Sequence, residues 1–468
     1  MRTSFVESPP DLRGGGELVV RPGTTGIHTE IIQAAIDKSA AMGGGRVVLA
    51  PGHYCAGTII MRSKVELHLD KGAILSGTSD VSAYLQKTGQ QGARIVGGSA
   101  TALLFAENAD NIAITGEGVI DGNGSVFWEK LETPHPWVEE ARRFGKWVPA
   151  FDYKAKPRPR ALILFANCSN VRLEGFRVQN SPAWTIHLLA CSSVVVRSIV
   201  LRGILHGCNT DGLDLDGCSD VLVEDCDIFT GDDAICLKNT NTWGLKRRSH
   251  DIIVRRCRLR STTHGFTVGT ETQDDFEDVS FTDSQIEQAG EYHTLTGIGI
   301  SVLDGGAIRR MHIANVSVSD AVGAIQIRLG NEGRGQSVKV PGEIRDITLE
   351  NITIRRAHGN SLIAGLLHHP LRNIILRNIS LEFVDFADPT NISAGFPEME
   401  SEFPPSTTWR FLPAFGFYCR HVDGLELTNV TILPGAQDDR PALALKNVRS
   451  LHCENFDAAE YIRLPGEE

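Results

Sequence analysis

Along much of the chain, apolar and polar residues alternate over short runs of five to eight positions, each closed by Gly, Asn or Asp; "DVLVEDCDI", "DIIVRRCRL", "DVSFTDSQI", "RDITLENITI" and "GLELTNVTI" are examples. A period of two marks strands with one buried face, and the closing residues turn a chain sharply. Helical periodicity is nearly absent. It is clearest from Thr29 to Met42, where Ile31, Ile32, Ala35 and Ile36 share one predicted face before Gly43-Gly44-Gly45. That triple glycine reads as a helix stop and not a phosphate loop, because no G-x-x-x-x-G-K-[ST] follows it.

The runs repeat. "CSNV", "CSSV" and "CSDV" open at Cys168, Cys191 and Cys218, and similar openings recur toward the C-terminus. A unit of roughly 23 to 32 residues, made of short strands without intervening helices, is one coil of a solenoid whose strands stack in parallel. The expected fold class is therefore all-β: a right-handed parallel β-helix, with the Thr29–Met42 helix covering the strand edges at its N-terminal end. Residues 1–22 read as a tail and 23–468 as a single domain. Two stretches break the period, near 123–160 (Trp128, Trp137, Trp147, Tyr153) and near 387–415 (Pro397, Pro404, Pro405, Trp409). Both read as long loops leaving the solenoid, whose aromatic rings either stack on sugars or pin the loops down.

The composition fits an ordered, turn-rich protein: 22% charged residues, 7% aromatics and 47 glycines in 468 residues. A formal charge of -11 points to no nucleic-acid partner. Neither a membrane-spanning run nor a secretory signal is legible, so the expectation is a cytoplasmic protein with no membrane partner. The ten cysteines show no C-x-x-C pair and are expected to be reduced, mostly buried thiols; no metal and no cofactor is anticipated.

Candidate chemistry lies in "HGCNTDGLDLDGCSDVLVEDCDIFTGDDAICLKNTN", where "NTDG" and "GDD" repeat an acidic turn about twenty residues apart. Inward residues must superpose from coil to coil. With Ile186/Leu188, Leu213/Leu215, Ile235/Leu237, Phe266/Val268, Ile298/Ile300 and Ile325/Ile327 as inward pairs, the residues two places earlier form one column: Trp184, Asp211, Asp233, His264, Thr296 and Gly323. Neighbours in it should lie about 4.8 Å apart, with Asp232 at the margin. Like charges so close disfavour simultaneous ionisation, so one acid is expected to keep a proton beside an ionised partner, which is the equipment of a glycosidase. The bland alternative is that these acids merely satisfy turn amides.

Through "GGGRVVLAPGHY", "DGNGSVFW", "NSPAWTIHL", "NTDG" and "GDD" the chain resembles glycoside hydrolase family 28, the polygalacturonase family of parallel β-helix enzymes. The resemblance implies that Asp232 is the general acid and that Asp211 and Asp233 activate water for single displacement with inversion. The family's Gly-His-Gly motif is "THG" here, keeping His264 to support the acid's ionisation state. Its Arg-Ile-Lys motif is missing: Gly299 and Ser301 hold those positions. Arg328, predicted to stack on Ser301 one coil later, either restores a grip on a uronate carboxylate or leaves a subsite for a neutral sugar such as rhamnose. Trp184, which could floor a sugar subsite or fill a coil corner, Asn209 and the outward-facing Lys238 complete the expected substrate-binding residues. The implied function is hydrolysis of pectin-derived or related oligosaccharides, exo-acting if the Trp-rich insertion closes one end of the groove. Two alternatives stand beside it: a polysaccharide lyase on the same fold, and a non-catalytic sugar-binding β-helix.

Overall fold

The computed structural model describes residues 16–23, 26–88, 98–133, 152–384, 397–403, 412–435, 438, 440–457 and 461–464. The described residues form two compact units: one made of those up to Ile235 together with Asn241–Arg247, the other of Cys236–Thr240 with those from Arg248 onward. Each is built of parallel β-helical coils.

In the first unit, equivalent strands of successive coils stack in three parallel rows. One runs Gly45–Leu49, Val65–Leu69, Asp110–Gly116, Ser169–Glu174, Ser192–Arg197, Ser219–Glu224. A second runs Ile59–Ile60, Leu104–Glu107, Ala161–Ala166, Trp184–Leu189, Leu213–Asp216, and the third ends in Val200–Arg202 and Asp227–Thr230. Inward residues superpose as the alternation requires: Ile163 on Ile186 on Leu213, and Phe165 on Leu188 on Leu215. All six are buried, each side chain contributing on the order of 1.5–3 kcal/mol of apolar burial. The cysteine tetrapeptides also stack, with the Ser192 and Ser219 N–H groups donating to the Cys168 and Cys191 carbonyls at 3.0 Å. None of the ten cysteines is in a disulfide; seven are buried, and of the ten only Cys453 is exposed.

The helix spans Thr29–Ala41 and packs on the first strands, with Ile32 and Ile36 buried. Ile31 departs from expectation at 45% exposed: the buried stripe is Ile32, Ile36 and Ser39, so the helix is rolled about its axis relative to the predicted face. Gly44, at φ +114°, ends it with an N–H bond to the Ser39 carbonyl, and a Cβ there would lie 2.4 Å from the Lys64 carbonyl oxygen. Glu17–Val20, placed in the tail from the sequence, is a parallel strand on Gly45–Leu49. No helix among the described residues is long and apolar enough to cross a membrane.

In the second unit His264–Thr272, Thr294–Val302, Ala321–Leu329, Ser361–Ala364 and Phe417–Leu433 form one stacked row. The predicted register is present: His264 opposite Thr296, Thr296 opposite Gly323, Ser301 opposite Arg328. An asparagine ladder closes one corner. Asn351, Asn378, Asn429 and Asn455 each donate a side-chain N–H to the preceding asparagine at 2.8–2.9 Å, starting from Asn315. All five sit at φ between 49° and 56°, a left-handed conformation that Asn tolerates because its short amide hydrogen-bonds locally.

Trp137, Trp147, Pro404, Pro405 and Trp409 lie outside the described residues. In the first insertion, Trp128–Lys130 pairs antiparallel with Tyr153–Ala155.

Candidate active site

The two acidic turns sit on neighbouring coils of the first unit. The Gly212 N–H donates to the Asp233 carbonyl at 2.7 Å, Leu213 to Ala234 at 3.0 Å, and Thr185, on the coil before, to Asp211 at 2.8 Å. Glycine is required for this approach: a Cβ on Gly212 would lie 2.5 Å from the Ala234 carbonyl oxygen, and one on Gly231 2.3 Å from that of Ile204. The repeated turn therefore converges Asp211, Asp232 and Asp233, with one oxygen of each within 4.8 Å of the others. Asp211 is 2% exposed and Asp233 9%, while Asp232 is half-buried. Asp232 is oriented by two backbone donors, the Asn209 N–H to Oδ2 at 2.7 Å and the Asp233 N–H to Oδ1 at 3.0 Å. Three convergent carboxylates are also a donor set that a hard cation could share.

A buried cation under these acids was not legible in the sequence. Arg158 donates to the Pro182 carbonyl at 2.7 Å and to that of Cys208 at 3.3 Å, and its guanidinium lies 4.1 Å from the Trp128 ring centroid. Burial pushes it down to about 10, against the pull of the Cys208 thiol, Asp211 and Asp232. That attraction is mutual, so Arg158 favours the charged forms of Asp211 and Asp232. Its segment, "KPRPR", belongs to an insertion outside the repeat, so coil alignment cannot reach it. The same insertion lays Tyr153 on His206, with ring centroids 4.4 Å apart. Burial lowers the His206 pKa.

Trp184 fills a coil corner and does not floor a sugar site: it is 3% exposed, packed with Ala102, Phe105, Ala161, Leu164 and Ala183. It stands edge-on to His187, which meets Asp216 at 3.0 Å.

The remaining expected residues belong to the second unit. His264 lies 6.4 Å from Phe403, ring centroid to ring centroid. Lys238 and Arg328 are buried, which departs from the open face expected for them. Arg328 is 1% exposed and donates to the backbone carbonyls of Glu402 at 2.8 Å, Glu398 at 3.4 Å and Met399. Burial, reinforced by Arg420, pushes it down to about 10. The register continues from Ser301 through Arg328 and Ala364 to Arg420 and Lys446, an outward stripe with three cations that the sequence reading followed only as far as Arg328. What hides Arg328 is a segment near residue 400, about seventy residues away and without a repeat signal.

The sequence pattern of glycosyl hydrolases family 28 matches residues 64–393, more than two thirds of the chain. The chain belongs to glycosyl hydrolase family 28. It is thus a glycosidase. Both acidic turns, His264 and Arg328 fall within the matched residues. A grape (Vitis vinifera) protein described as a probable polygalacturonase is 23% identical over 76% of this family 28 chain and 71% of its own length. A probable polygalacturonase of Arabidopsis thaliana is 28% identical over 44% of this chain and 37% of its own. Among solved structures, an exopolygalacturonase from Thermotoga maritima superposes with a TM-score of 0.64 at 22% identity, over 81% of this chain and 89% of that one, which shows the shared parallel β-helix fold.

Proposed function

We propose that this family 28 glycosidase hydrolyses galacturonate-containing oligosaccharides derived from pectin, using Asp211, Asp232 and Asp233 as its acid and base groups. The observation that carries the proposal is the convergence of the three carboxyls within 4.8 Å, Asp232 being aimed by the Asn209 and Asp233 N–H groups. Asp232, the most exposed of the three, donates its proton to the glycosidic oxygen as the bond to the anomeric carbon breaks. Water attacks that carbon from the opposite face, and Asp211 or Asp233 accepts the proton it loses. Inversion follows the family's single-displacement scheme, in which His264 tunes the acid. Arg158 favours the charged form of Asp211 as base and, by the same attraction, makes Asp232 a stronger acid. The polygalacturonase descriptions of the grape and Arabidopsis proteins support the substrate class.

One observation favours a refinement. With Gly299 and Ser301 in place of the family's cations, and with Arg328 donating to backbone carbonyls, the subsite those positions serve in the family is suited here to a neutral sugar such as rhamnose. We further propose an exo mode. Trp128 closes on Gly207 and Tyr153 lies on His206, so these two rings stand beside the start of the acidic turn and wall it on that side.

The test is incubation of the enzyme with galacturonate oligomers, rhamnose-capped fragments and neutral oligosaccharides. New reducing ends from the uronate-containing substrates, released as single terminal units, support the proposal. Ultraviolet absorbance from an unsaturated uronate would assign a lyase instead, and no cleavage of any substrate would favour a binding protein.

A further inference from the structure

The second unit carries a cluster unrelated to the acidic turns. His293 precedes the strand Thr294–Val302, Asp320 precedes Ala321–Leu329, and His358 lies near the end of Glu343–Gly359. Thr294 pairs with Ala321, and Ala321 with Ala357, so the three residues fall at one corner of three successive coils. His293 Nδ1 lies 2.5 Å from Asp320 Oδ1, and His358 Nε2 lies 3.1 Å from Asp320 Oδ2. The two imidazole centroids are 4.2 Å apart, and one ligand atom from each of the three residues lies within 4.8 Å of the others. The carboxylate is 2% exposed, while His293 at 19% and His358 at 13% leave an opening to solvent.

Two histidines could simply neutralise a buried carboxylate. Asp320 already has a cation for that purpose, because Arg356 Nε lies 3.1 Å from Oδ2. Arg356 is 55% exposed, so it can swing aside without leaving a buried charge. Two further imidazole nitrogens converging on the same carboxylate exceed what one buried charge requires. They match the donor set of a borderline divalent ion: imidazole suits zinc, cobalt(II) and nickel, whereas calcium and magnesium select oxygen-only shells.

We propose that His293, Asp320 and His358 form a zinc-class metal site that ties three coils together, with the fourth position open to water. An ion bound only by the folded state raises its stability by mass action. Because its ligands come from three coils, it resists their separation directly.

The experiment titrates the full chain, stripped with EDTA, with cobalt(II) while following ligand-field absorption, and with zinc while following thermal unfolding. The expected result is a saturable cobalt spectrum at one equivalent and a rise in melting temperature with zinc. Both should be lost in H293Q and in H358Q and kept in D232N, which separates this site from the three aspartates. No saturable spectrum in the wild type, or one that survives both histidine substitutions, overturns the proposal. If the variants fail to fold, anomalous diffraction at the zinc edge from wild-type crystals decides without them. A peak bounded by the three residues supports the site; no peak there overturns it.

Discussion

The N–H of Gly212 donates to the carbonyl oxygen of Asp233 at 2.7 Å, and with the neighbouring Leu213-to-Ala234 bond it sets the two acidic turns side by side. Coil register brings Asp211 and Asp233 together. The geometry of the acids therefore depends on backbone groups that carry no chemistry themselves.

Gly212→Ala tests that dependence. The added methyl meets the Ala234 carbonyl oxygen at 2.5 Å and must push the coils apart locally. Overpacking of this kind costs about 1–3 kcal/mol. The larger effect falls on turnover, expected to drop on the order of 100-fold because misplacement by about 1 Å is enough. Steady-state kinetics beside a thermal melt reads both; a variant that melts lower yet turns over normally would contradict this account.

Arg158→Met removes the cation attracted to Asp211 and Asp232. That cation favours the charged base, so without it the base takes up its proton at higher pH. It favours the charged form of Asp232 as well, so both limbs of the pH–rate profile, the acid limb set by the base and the alkaline limb set by Asp232, are expected to move upward. Arg158→Lys, which keeps the charge but not the planar fork, should move them less. Limbs unmoved in both variants would show that Arg158 acts only by holding the Pro182 and Cys208 carbonyls.

Acid stability should depend on Glu66. It is fully buried, and burial alone would raise its pKa, but hydrogen bonds from Thr115 and Arg46 and the charges of Arg46 and Arg172 hold it below its ordinary value of 4.5. A carboxyl with a depressed folded pKa contributes stability that is complete above the unfolded value and lost as pH falls through the folded one. Denaturant unfolding at pH values of about 7 and about 3 should show wild type losing more stability than Glu66→Gln. At neutral pH, Glu66→Ala, which takes the partner of the partly exposed Arg46 and leaves Arg172 only Glu174, should cost about 1–3 kcal/mol. Equal losses on acidification in wild type and Glu66→Gln would refute the assignment.

Arg328→Met bears on substrate choice. The guanidinium serves the Glu398, Met399 and Glu402 carbonyls, so its loss should destabilise the protein by about 1–3 kcal/mol. Turnover of uronate-capped and rhamnose-capped fragments should fall by the same factor. A KM that rises only for the uronate-capped fragment would show instead that Arg328 grips a carboxylate.

Much of this arrangement was legible before any coordinates, and the reason is physical. A period of two assigns each side chain to a face, and stacking of inward residues then gives the register; this yields His264 opposite Thr296 and Arg328 opposite Ser301. What periodicity cannot report is how non-repeating segments fold back over the coils. Arg158 arrives from an insertion, and Arg328 is covered by a segment near residue 400. Trp184 looked available for a sugar because nothing in its own strand shows the cluster that encloses it. Ile31 was misjudged for a related reason: several apolar residues lie along one side of the helix, and only the coil it covers selects Ile32 and Ile36.

The most direct measurement is the rate of galacturonate-oligomer hydrolysis by wild type and by Asp232→Asn, with far-ultraviolet circular dichroism to establish that both are folded. Removing a general acid while leaving the turn's backbone donors in place should lower kcat by about 100- to 10,000-fold, with KM little changed. A folded Asp232→Asn protein that cleaves at the wild-type rate would contradict the assignment of catalysis to the three convergent aspartates.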